Sequence, residues 1–257
     1  MKLCRFELKS EPGKIRSGMV YSGKIYETDG AQAVGVHEAE AVRPLAPVGH
    51  ANSVRIFDTS LFRDDEPAFA YGNPAALLGP SQLIPYPGGT GELGFDAYLA
   101  AVVVVPGSML DLAQADDIIL GLTIMTVLVA RDVERRQGFY GGRARDLAAT
   151  IGPVMTTPDE LDEAIVDSEN GRRYALSVVV RVNGVETYRG NIEDLETSLA
   201  QAVSQASQSC RLATGDVIAL GPIAETADVR LDVNDEIQVS VERLGMLATK
   251  IADEIHE

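Results

Sequence analysis

The sequence is poor in the residues that build disulfide scaffolds and metal clusters. Its 257 residues include only two cysteines, Cys4 and Cys210, and three histidines, His37, His50 and His256. Two cysteines are too few for a disulfide framework or a cysteine-rich zinc site. Taken with the three histidines, they nearly exclude a metal site built from histidine and cysteine alone.

Long hydrophobic runs and positive charge are also scarce. Apolar runs such as Ala100–Pro106 are strand-sized, whereas a membrane-spanning helix needs about 20 residues. Residues 1–18 lack the apolar stretch of a signal peptide, which predicts a cytoplasmic location and no membrane partner. The chain carries 22 Lys and Arg against 38 Asp and Glu, a net charge of −16. Such an acidic surface repels phosphate backbones and predicts no nucleic-acid partner.

What the sequence does contain is a strand-rich pattern. Residues 1–50 are predicted to form a small N-terminal β-domain, with a hairpin around Ser22-Gly23. Two prolines within 43–47 are expected to break regular structure there. Residues 51–257 are predicted to form a second, larger domain, irregular over 49–92 and then rich in strands.

The larger domain shows strong strand signals and one helical pattern. The run Phe95–Val105 is typical of a strand buried on both faces, and Asn183-Gly184 predicts a hairpin turn. A further closing strand is predicted at Val229–Leu231. Helical spacing over 192–208, with Asn191 or Asp194 as the cap, predicts a helix. The fold class is therefore a mixed, β-rich α+β fold with a few packed helices.

Several short segments occur in an order and spacing that resembles the fumarylacetoacetate hydrolase superfamily. The resemblance extends from about Glu66 to Leu247. The segments that carry it are Glu66-Pro67-Ala68-Phe69, Leu99-Ala100-Ala101-Val102-Val103, Ile119-Leu120-Gly121-Leu122-Thr123, Ala130-Arg131-Asp132, Ile151-Gly152-Pro153, Leu212-Ala213-Thr214-Gly215-Asp216 and Asn234-Asp235-Glu236-Ile237.

The resemblance implies a fold, an assembly and a class of chemistry. The fold would be a twisted mixed β-roll preceded by a small N-terminal β-unit, and the assembly a homodimer. Members of the family cleave, hydrate, decarboxylate or tautomerise small 2-oxo and β-dicarbonyl acids. A Mg²⁺, Mn²⁺ or Ca²⁺ held by three carboxylates chelates the acid and stabilises the enolate. A lysine and a His–Glu pair on a lid complete the implied site.

The metal ligands that the resemblance implies are largely replaced in this chain. The Glu-x-Glu pair falls on Asp96 and Tyr98, and the third carboxylate falls on Val127. One carboxylate of three does not provide the charged shell that Mg²⁺ needs. We therefore predict no cofactor, or at most weakly bound Mg²⁺ or Mn²⁺, with Asp96 and Glu92 as weak candidate ligands.

At the other site positions that the resemblance implies, some residues match the family pattern and others do not. The lysine falls on Arg143, which suits a bidentate clamp on a carboxylate, and Asp146 follows it as in the family. Ser207 and Gly221 are also kept. The lid pair has no counterpart, since the segment 57–66 is short and contains no histidine.

These positions define the candidate site. The candidate catalytic residues are Asp96, Tyr98 and Arg143, and the candidate substrate-binding residues are Arg143, Asp146, Ser207 and Gly221. Alternatives remain open for most of them: Asp96 and Glu92 could be solvated loop acids at a strand start, Tyr98 could simply pack in the roll, and Arg143 with Arg145 and Asp146 could be a surface salt-bridge cluster.

Two main functional hypotheses follow from the resemblance and the altered site. The first is an enzyme that acts on a small 2-oxo or β-dicarbonyl carboxylate, as a hydrolase, hydratase, decarboxylase or tautomerase, with reduced or absent metal dependence. The second is a non-catalytic binding or structural subunit with the same fold. A third hypothesis keeps a weak metal site made of Asp96, Glu92 and waters.

Overall fold

The computed structural model describes residues 1–63, 66–80, 82–138 and 142–253, with the backbone alone over 61–63 and 66–67. Its strands are β1 (Lys2–Leu8), β2 (Glu11–Tyr21), β3 (Lys24–Asp29), β4 (Gln32–Glu38), β5 (Val42–Leu45), β6 (Val54–Arg63), β7 (Glu66–Gly72), β8 (Leu77–Leu78), β9 (Leu83–Pro85), β10 (Leu93–Val103), β11 (Ile119–Ala130), β12 (Ala149–Thr156), β13 (Ile165–Asp167), β14 (Arg173–Tyr174), β15 (Ser177–Val182), β16 (Val185–Asn191), β17 (Val217–Gly221), β18 (Glu236–Val241) and β19 (Gly245–Ala252).

Helices are few and short. The α-helices are α1 (Leu112–Asp117), α2 (Arg131–Gln137) and α3 (Leu199–Ser209). Single turns of 3-10 helix lie at Ala39–Ala41, Pro74–Ala76, Gly142–Ala144 and Ile192–Asp194, and a longer one at Pro158–Ala164. No helix in the described ranges is long and apolar enough to cross a membrane.

The strands form one large and two smaller sheets. The large sheet has the order β4-β3-β2-β1-β12-β11-β10-β17-β6-β7, with β5 beside β1 and β8 beside β12. The second sheet has the order β16-β15-β18-β19-β9, and β13 pairs with β14. Most pairs are antiparallel, whereas β17–β6, β12–β8 and β19–β9 are parallel. The predicted mixed, β-rich fold class is confirmed.

The N-terminal strands continue the large sheet, because β1 pairs with β12. The hairpin predicted at Ser22-Gly23 joins β2 to β3, and both residues have the positive φ values that such a turn requires. The expectation that the prolines of 43–47 break regular structure is wrong for Pro44, whereas β5 ends before Pro47. Pro44 lies within β5, which pairs only with β1, so no ladder bond needs the missing N–H. A domain boundary near residue 50 remains a proposal.

Three other sequence predictions need correction. Residues 49–92 are less irregular than expected: β6 covers most of the possible strand at Asn52–Phe57 but runs on to Arg63 and forms a hairpin with β7. Val229–Leu231 is not a strand, because Leu231 makes a single bridge to Leu93. The predicted helix begins at Leu199, where Ser198 and Gln201 form a reciprocal capping box, rather than at residue 192.

The two longest central strands separate two cores. All residues of β10 are buried, as predicted from its apolar run. Side chains alternate between the faces of a strand. Phe95 and Leu99 therefore enter the larger core, which also contains residues of α3 and of the second sheet. Tyr98 enters the opposite core together with Ile56 of β6 and Met125 of β11.

Candidate active site

Asp96 and Tyr98 lie side by side on one face of β10. In the antiparallel ladder with β11, Asp96 is opposite Val127 and Tyr98 is opposite Met125. Directly opposed residues share a face of the sheet. The three positions at which the resemblance implies metal ligands, 96, 98 and 127, are therefore neighbours, as the family pattern requires.

The carboxylate of Asp96 is held by two arginines. Arg131, the first residue of α2, donates through Nη2 to Asp96 Oδ1 at 2.6 Å. Arg145, just after the 3-10 turn Gly142–Ala144, places its Nη2 2.8 Å from Asp96 Oδ2. Glu134 accepts from both arginines, at 3.0 Å from Arg131 and 2.6 Å from Arg145. Asp96, Arg131, Glu134 and Arg145 thus alternate in sign around a closed ring, which we call the four-charge ring.

The four-charge ring is electrically neutral and mostly buried, with Glu134 as its most exposed member. The side chains of Asp96, Arg131 and Arg145 are 10%, 9% and 7% exposed. Burial alone would raise the pKa of Asp96, but the positive charges of Arg145 and Arg131 outweigh it and hold that pKa below its usual value. Asp96 is therefore an anion at neutral pH and serves as a counter-ion rather than as a proton donor.

Tyr98 joins the ring through its hydroxyl group. Arg145 Nη1 donates to Tyr98 Oη at 2.9 Å, and the aromatic side chain of Tyr98 is fully buried. Burial raises the pKa of Tyr98, and the negative charge of Asp96 raises it further. The phenol stays protonated at neutral pH and orients the guanidinium of Arg145.

These residues do not fit a divalent metal ion. Asp96 gives both oxygens to arginines, while Tyr98 offers a protonated phenol and Val127 offers only carbon. Glu92 lies apart from Asp96 and is paired with Arg135 at 2.6 Å and Arg230 at 3.3 Å. Within the described ranges, no group of three or more His, Cys, Asp or Glu side chains is placed to hold a metal.

A cavity of about 590 Å³ lies beside the four-charge ring. Arg143, Arg145 and Asp146 line it from one side, and the loop residues Gly89 and Thr90 from the other. Arg143 lies against that loop, since a Cβ at Gly89 would be 3.4 Å from Arg143 Nη2. The cavity therefore presents cationic side chains to a bound molecule.

Arg143 and Asp146 have different partners within the cavity wall. Asp146 accepts a hydrogen bond from Asn73 Nδ2 at 2.8 Å. In the part of the chain that the structure describes, no carboxylate lies within ion-pairing distance of Arg143, so its charge is not neutralised by any of these side chains. Gly141, near Arg143 in sequence, lies outside the described residues, as do residues 64–65 of the shortened lid segment and His256.

A second cavity of about 520 Å³ continues from the first. It shares Gly88, Asp146 and Leu147 with the first cavity and is otherwise lined by residues such as Leu78 and Tyr86. A molecule whose anionic end lies near Arg143 could thus extend its carbon chain over an apolar wall.

The structure separates the remaining predicted residues from this cavity. Ser207 lies in α3, where it accepts from the Leu110 backbone N–H at 2.9 Å and donates to the Ser204 carbonyl at 2.7 Å. Gly221 ends β17 beside Tyr98, because a Cβ there would lie 2.9 Å from Tyr98 Cδ1. Neither residue lines the cavity that contains Arg143.

Arg145 connects the two halves of the predicted site. It contacts Asp96 and Tyr98 on one side and lines the cavity of Arg143 on the other. The sequence indicated Arg145 only as a neighbour of the clamp, and it did not indicate Glu134. A lone carboxylate on a buried strand requires a counter-charge. The presence of Asp96 in an apolar strand was therefore the sequence signal that pointed to a nearby basic residue.

Comparison with known proteins agrees with this arrangement of strands. The sequence model described as "Fumarylacetoacetate (FAA) hydrolase C-terminal" matches residues 43–252. The chain therefore belongs to the fumarylacetoacetate hydrolase family.

Individual relatives are distant. Oxaloacetate tautomerase YisK of Bacillus subtilis is 27% identical over 168 residues, which are 63% of this chain and 53% of the relative. The alignment thus spans about half of that relative. An uncharacterized protein of Archaeoglobus fulgidus is 26% identical over 245 residues, 91% of this chain and 92% of the relative. The crystal structure of 2-hydroxyhepta-2,4-diene-1,7-dioate isomerase from Mycobacterium marinum has a TM-score of 0.83, 23% identity and full coverage of both chains, which shows the shared fold.

Proposed function

We propose that this protein is an enzyme acting on a small 2-oxo or β-dicarbonyl carboxylate, without a requirement for a bound metal. The observation that carries the proposal is the position of Arg143. Its guanidinium faces a cavity of about 590 Å³ and has no ion-pair partner among the described side chains. Arg143 is exposed at the cavity, and an unneutralised cation there is what a carboxylate substrate needs for binding to an otherwise acidic protein.

Tautomerisation is the reaction for which this site is best equipped. Asp146, the carboxylate that lines the same cavity, takes the proton from the substrate carbon and returns it to the substrate oxygen, so the step needs no activated water and no His–Glu lid pair. The enolate formed on the way requires fixed positive charge or hydrogen-bond donors. Arg143 supplies that charge, and Arg145, whose own charge is balanced within the four-charge ring, lines the same cavity as a hydrogen-bond donor. The tautomerase name of the Bacillus subtilis relative supports the choice.

Within this proposal the candidate residues have distinct roles. Arg143 binds the substrate carboxylate, and Asp146 on the same wall transfers the proton. Asp96 and Tyr98 act through Arg145, which they orient, and are positioning residues rather than groups that contact substrate. Ser207 and Gly221 have no contact with the substrate. A homodimer remains part of the proposal on the basis of the family resemblance.

The test is an ultraviolet assay of enol–keto conversion of oxaloacetate in the presence of EDTA. Wild type is expected to accelerate the conversion. Arg143→Ala removes a charged hydrogen bond worth about 1.5–3 kcal/mol, so kcat/KM should fall about 10- to 100-fold. Arg136→Ala is the matched control, because this arginine is exposed and, among the described side chains, its one ion pair is with Asp132 at 3.5 Å. Equal rates in both variants would refute the role of Arg143.

The second candidate function is a non-catalytic binding subunit. The observation in its favour is that Asp96 is fully engaged by arginines and that Tyr98 is buried away from the cavity. That function predicts carboxylate binding at Arg143 with no acceleration of any reaction on a panel of 2-oxo and β-dicarbonyl acids.

A further inference from the structure

We infer that the guanidinium of Arg145 is a built-in cation that takes the place of the divalent metal at positions 96, 98 and 127. The inference deepens the proposed function and rests on it only for the lack of a metal requirement. It explains how a site can lose two of three ligands and still keep a buried positive charge.

The first argument is the position of the two Nη atoms of Arg145. Nη2 lies 2.8 Å from Asp96 Oδ2, and Nη1 lies 2.9 Å from Tyr98 Oη. The same guanidinium therefore contacts the side chains at both positions of the former Glu-x-Glu pair. A cation that joins these two side chains is the arrangement that the metal would otherwise provide.

The second argument is space. Val127, at the third ligand position, lines a small void together with Met125 and Arg145, and that void holds about 10 Å³. A single water needs about 10–15 Å³, so a divalent ion with the waters it retains does not fit in this void, on the Val127 side of Arg145. Asp96 does not line that void; it borders a separate cavity of about 670 Å³, so space excludes an ion beside Val127.

The third argument is charge. Asp96 and Glu134 carry two negative charges, which Arg131 and Arg145 already neutralise within the four-charge ring. A divalent ion would bring two more positive charges next to two guanidinium groups, and the described residues place no group of three His, Cys, Asp or Glu side chains there to hold it. Like charges at such short distances repel strongly in a buried site.

The experiment compares wild type with Arg145→Ala by thermal unfolding, with added guanidinium or Mn²⁺. Free guanidinium at about 10 mM is expected to raise the Tm of Arg145→Ala, because it binds the vacated place in the folded state only. The same guanidinium concentration is not expected to raise the Tm of wild type or of the control Arg136→Ala. Mn²⁺ is expected to raise the Tm of none of the three proteins.

Two results would overturn the inference. One is a rise in the Tm of wild type with Mn²⁺ that Asp96→Asn abolishes, since this would place a metal at Asp96. The other is an Arg145→Ala protein that folds but gains nothing from guanidinium, since Arg145 would then be a packing residue only.

A second variant covers the case in which Arg145→Ala does not fold. Arg145→Lys keeps the charge and fills most of the space, so this protein is expected to fold and to bind no Mn²⁺ in an electron paramagnetic resonance titration. Stoichiometric Mn²⁺ binding by Arg145→Lys or by wild type would refute the inference. Because these readouts do not involve turnover, an inactive protein that passes them would refute the proposed function alone.

Discussion

Arg145 Nη2 lies 2.8 Å from Asp96 Oδ2, and position 96 is one at which the family pattern predicts a metal ligand. The two residues are far apart in sequence and meet because Arg145 precedes β12, which lies beside β11 in the large sheet. Because of this contact, Asp96 belongs to the neutral four-charge ring and is not available as a metal ligand.

The first prediction concerns the charge of Asp96. Asp96→Asn leaves Arg131 and Arg145 buried with Glu134 as their shared counter-ion. Breaking a buried ion pair from one side typically costs about 3–5 kcal/mol, and we expect a loss of this size in the free energy of unfolding. Urea denaturation measures it. Glu92→Gln, which alters an exposed pair, should change stability by less than about 1 kcal/mol; equal effects would contradict the buried ring.

The second prediction is the direction of the pH dependence. The pKa of Asp96 is lower in the folded protein than its usual value. Such a group stabilises the fold above its unfolded pKa of about 4, and this contribution is lost as the pH falls through the folded pKa. The unfolding free energy of wild type should therefore decrease more steeply below about pH 4 than that of Asp96→Asn. Parallel pH profiles from urea titrations would disprove the assignment.

A third prediction concerns the close contact between Gly221 and Tyr98. A Cβ at position 221 would lie 2.9 Å from Tyr98 Cδ1 and 3.1 Å from the Ala97 carbonyl oxygen. Gly221→Ala should therefore destabilise the protein by about 1–3 kcal/mol through overpacking. Gly88→Ala is the control, since nothing lies within 4 Å of its Cβ position. Differential scanning calorimetry of both variants measures the difference in Tm. An unchanged Tm for Gly221→Ala would contradict the close contact between position 221 and Tyr98.

A fourth prediction separates stability from binding at Ser207. Its hydroxyl is buried and accepts the Leu110 N–H. Ser207→Ala leaves that donor without its partner, which costs about 1–3 kcal/mol, but it should leave the KM of any substrate unchanged. Ser209→Ala, at an exposed position of α3, should change neither quantity. A raised KM in Ser207→Ala at a temperature where it is folded would show that Ser207 belongs to the binding site.

Local patterns in the sequence predicted the parts of the fold that local chemistry decides. The apolar run of β10 and the turns at Ser22-Gly23 and Asn183-Gly184 depend on neighbouring residues alone. The start of α3 was missed because two polar cap candidates compete there, and Asn191 caps a 3-10 turn instead. Pro44 was misjudged because an edge position is a property of the sheet and not of the segment.

The candidate site shows the same limit. The family pattern placed Asp96, Tyr98 and Val127 together, and the ladder between β10 and β11 agrees. It could not show that Arg145 would turn toward Asp96 while Arg143 faces the cavity. Two arginines separated by one residue look alike in sequence, and only the path of the chain after Gly142–Ala144 distinguishes their surroundings.

The most direct test of the whole account is isothermal titration of oxalate, an enolate mimic, into metal-stripped protein in EDTA. We predict binding to wild type and to Arg136→Ala, no enhancement by Mg²⁺ or Mn²⁺ when EDTA is omitted, and loss of binding in Arg143→Ala. Binding that appears only with a divalent metal, or that survives in Arg143→Ala, would contradict a metal-free carboxylate site at Arg143.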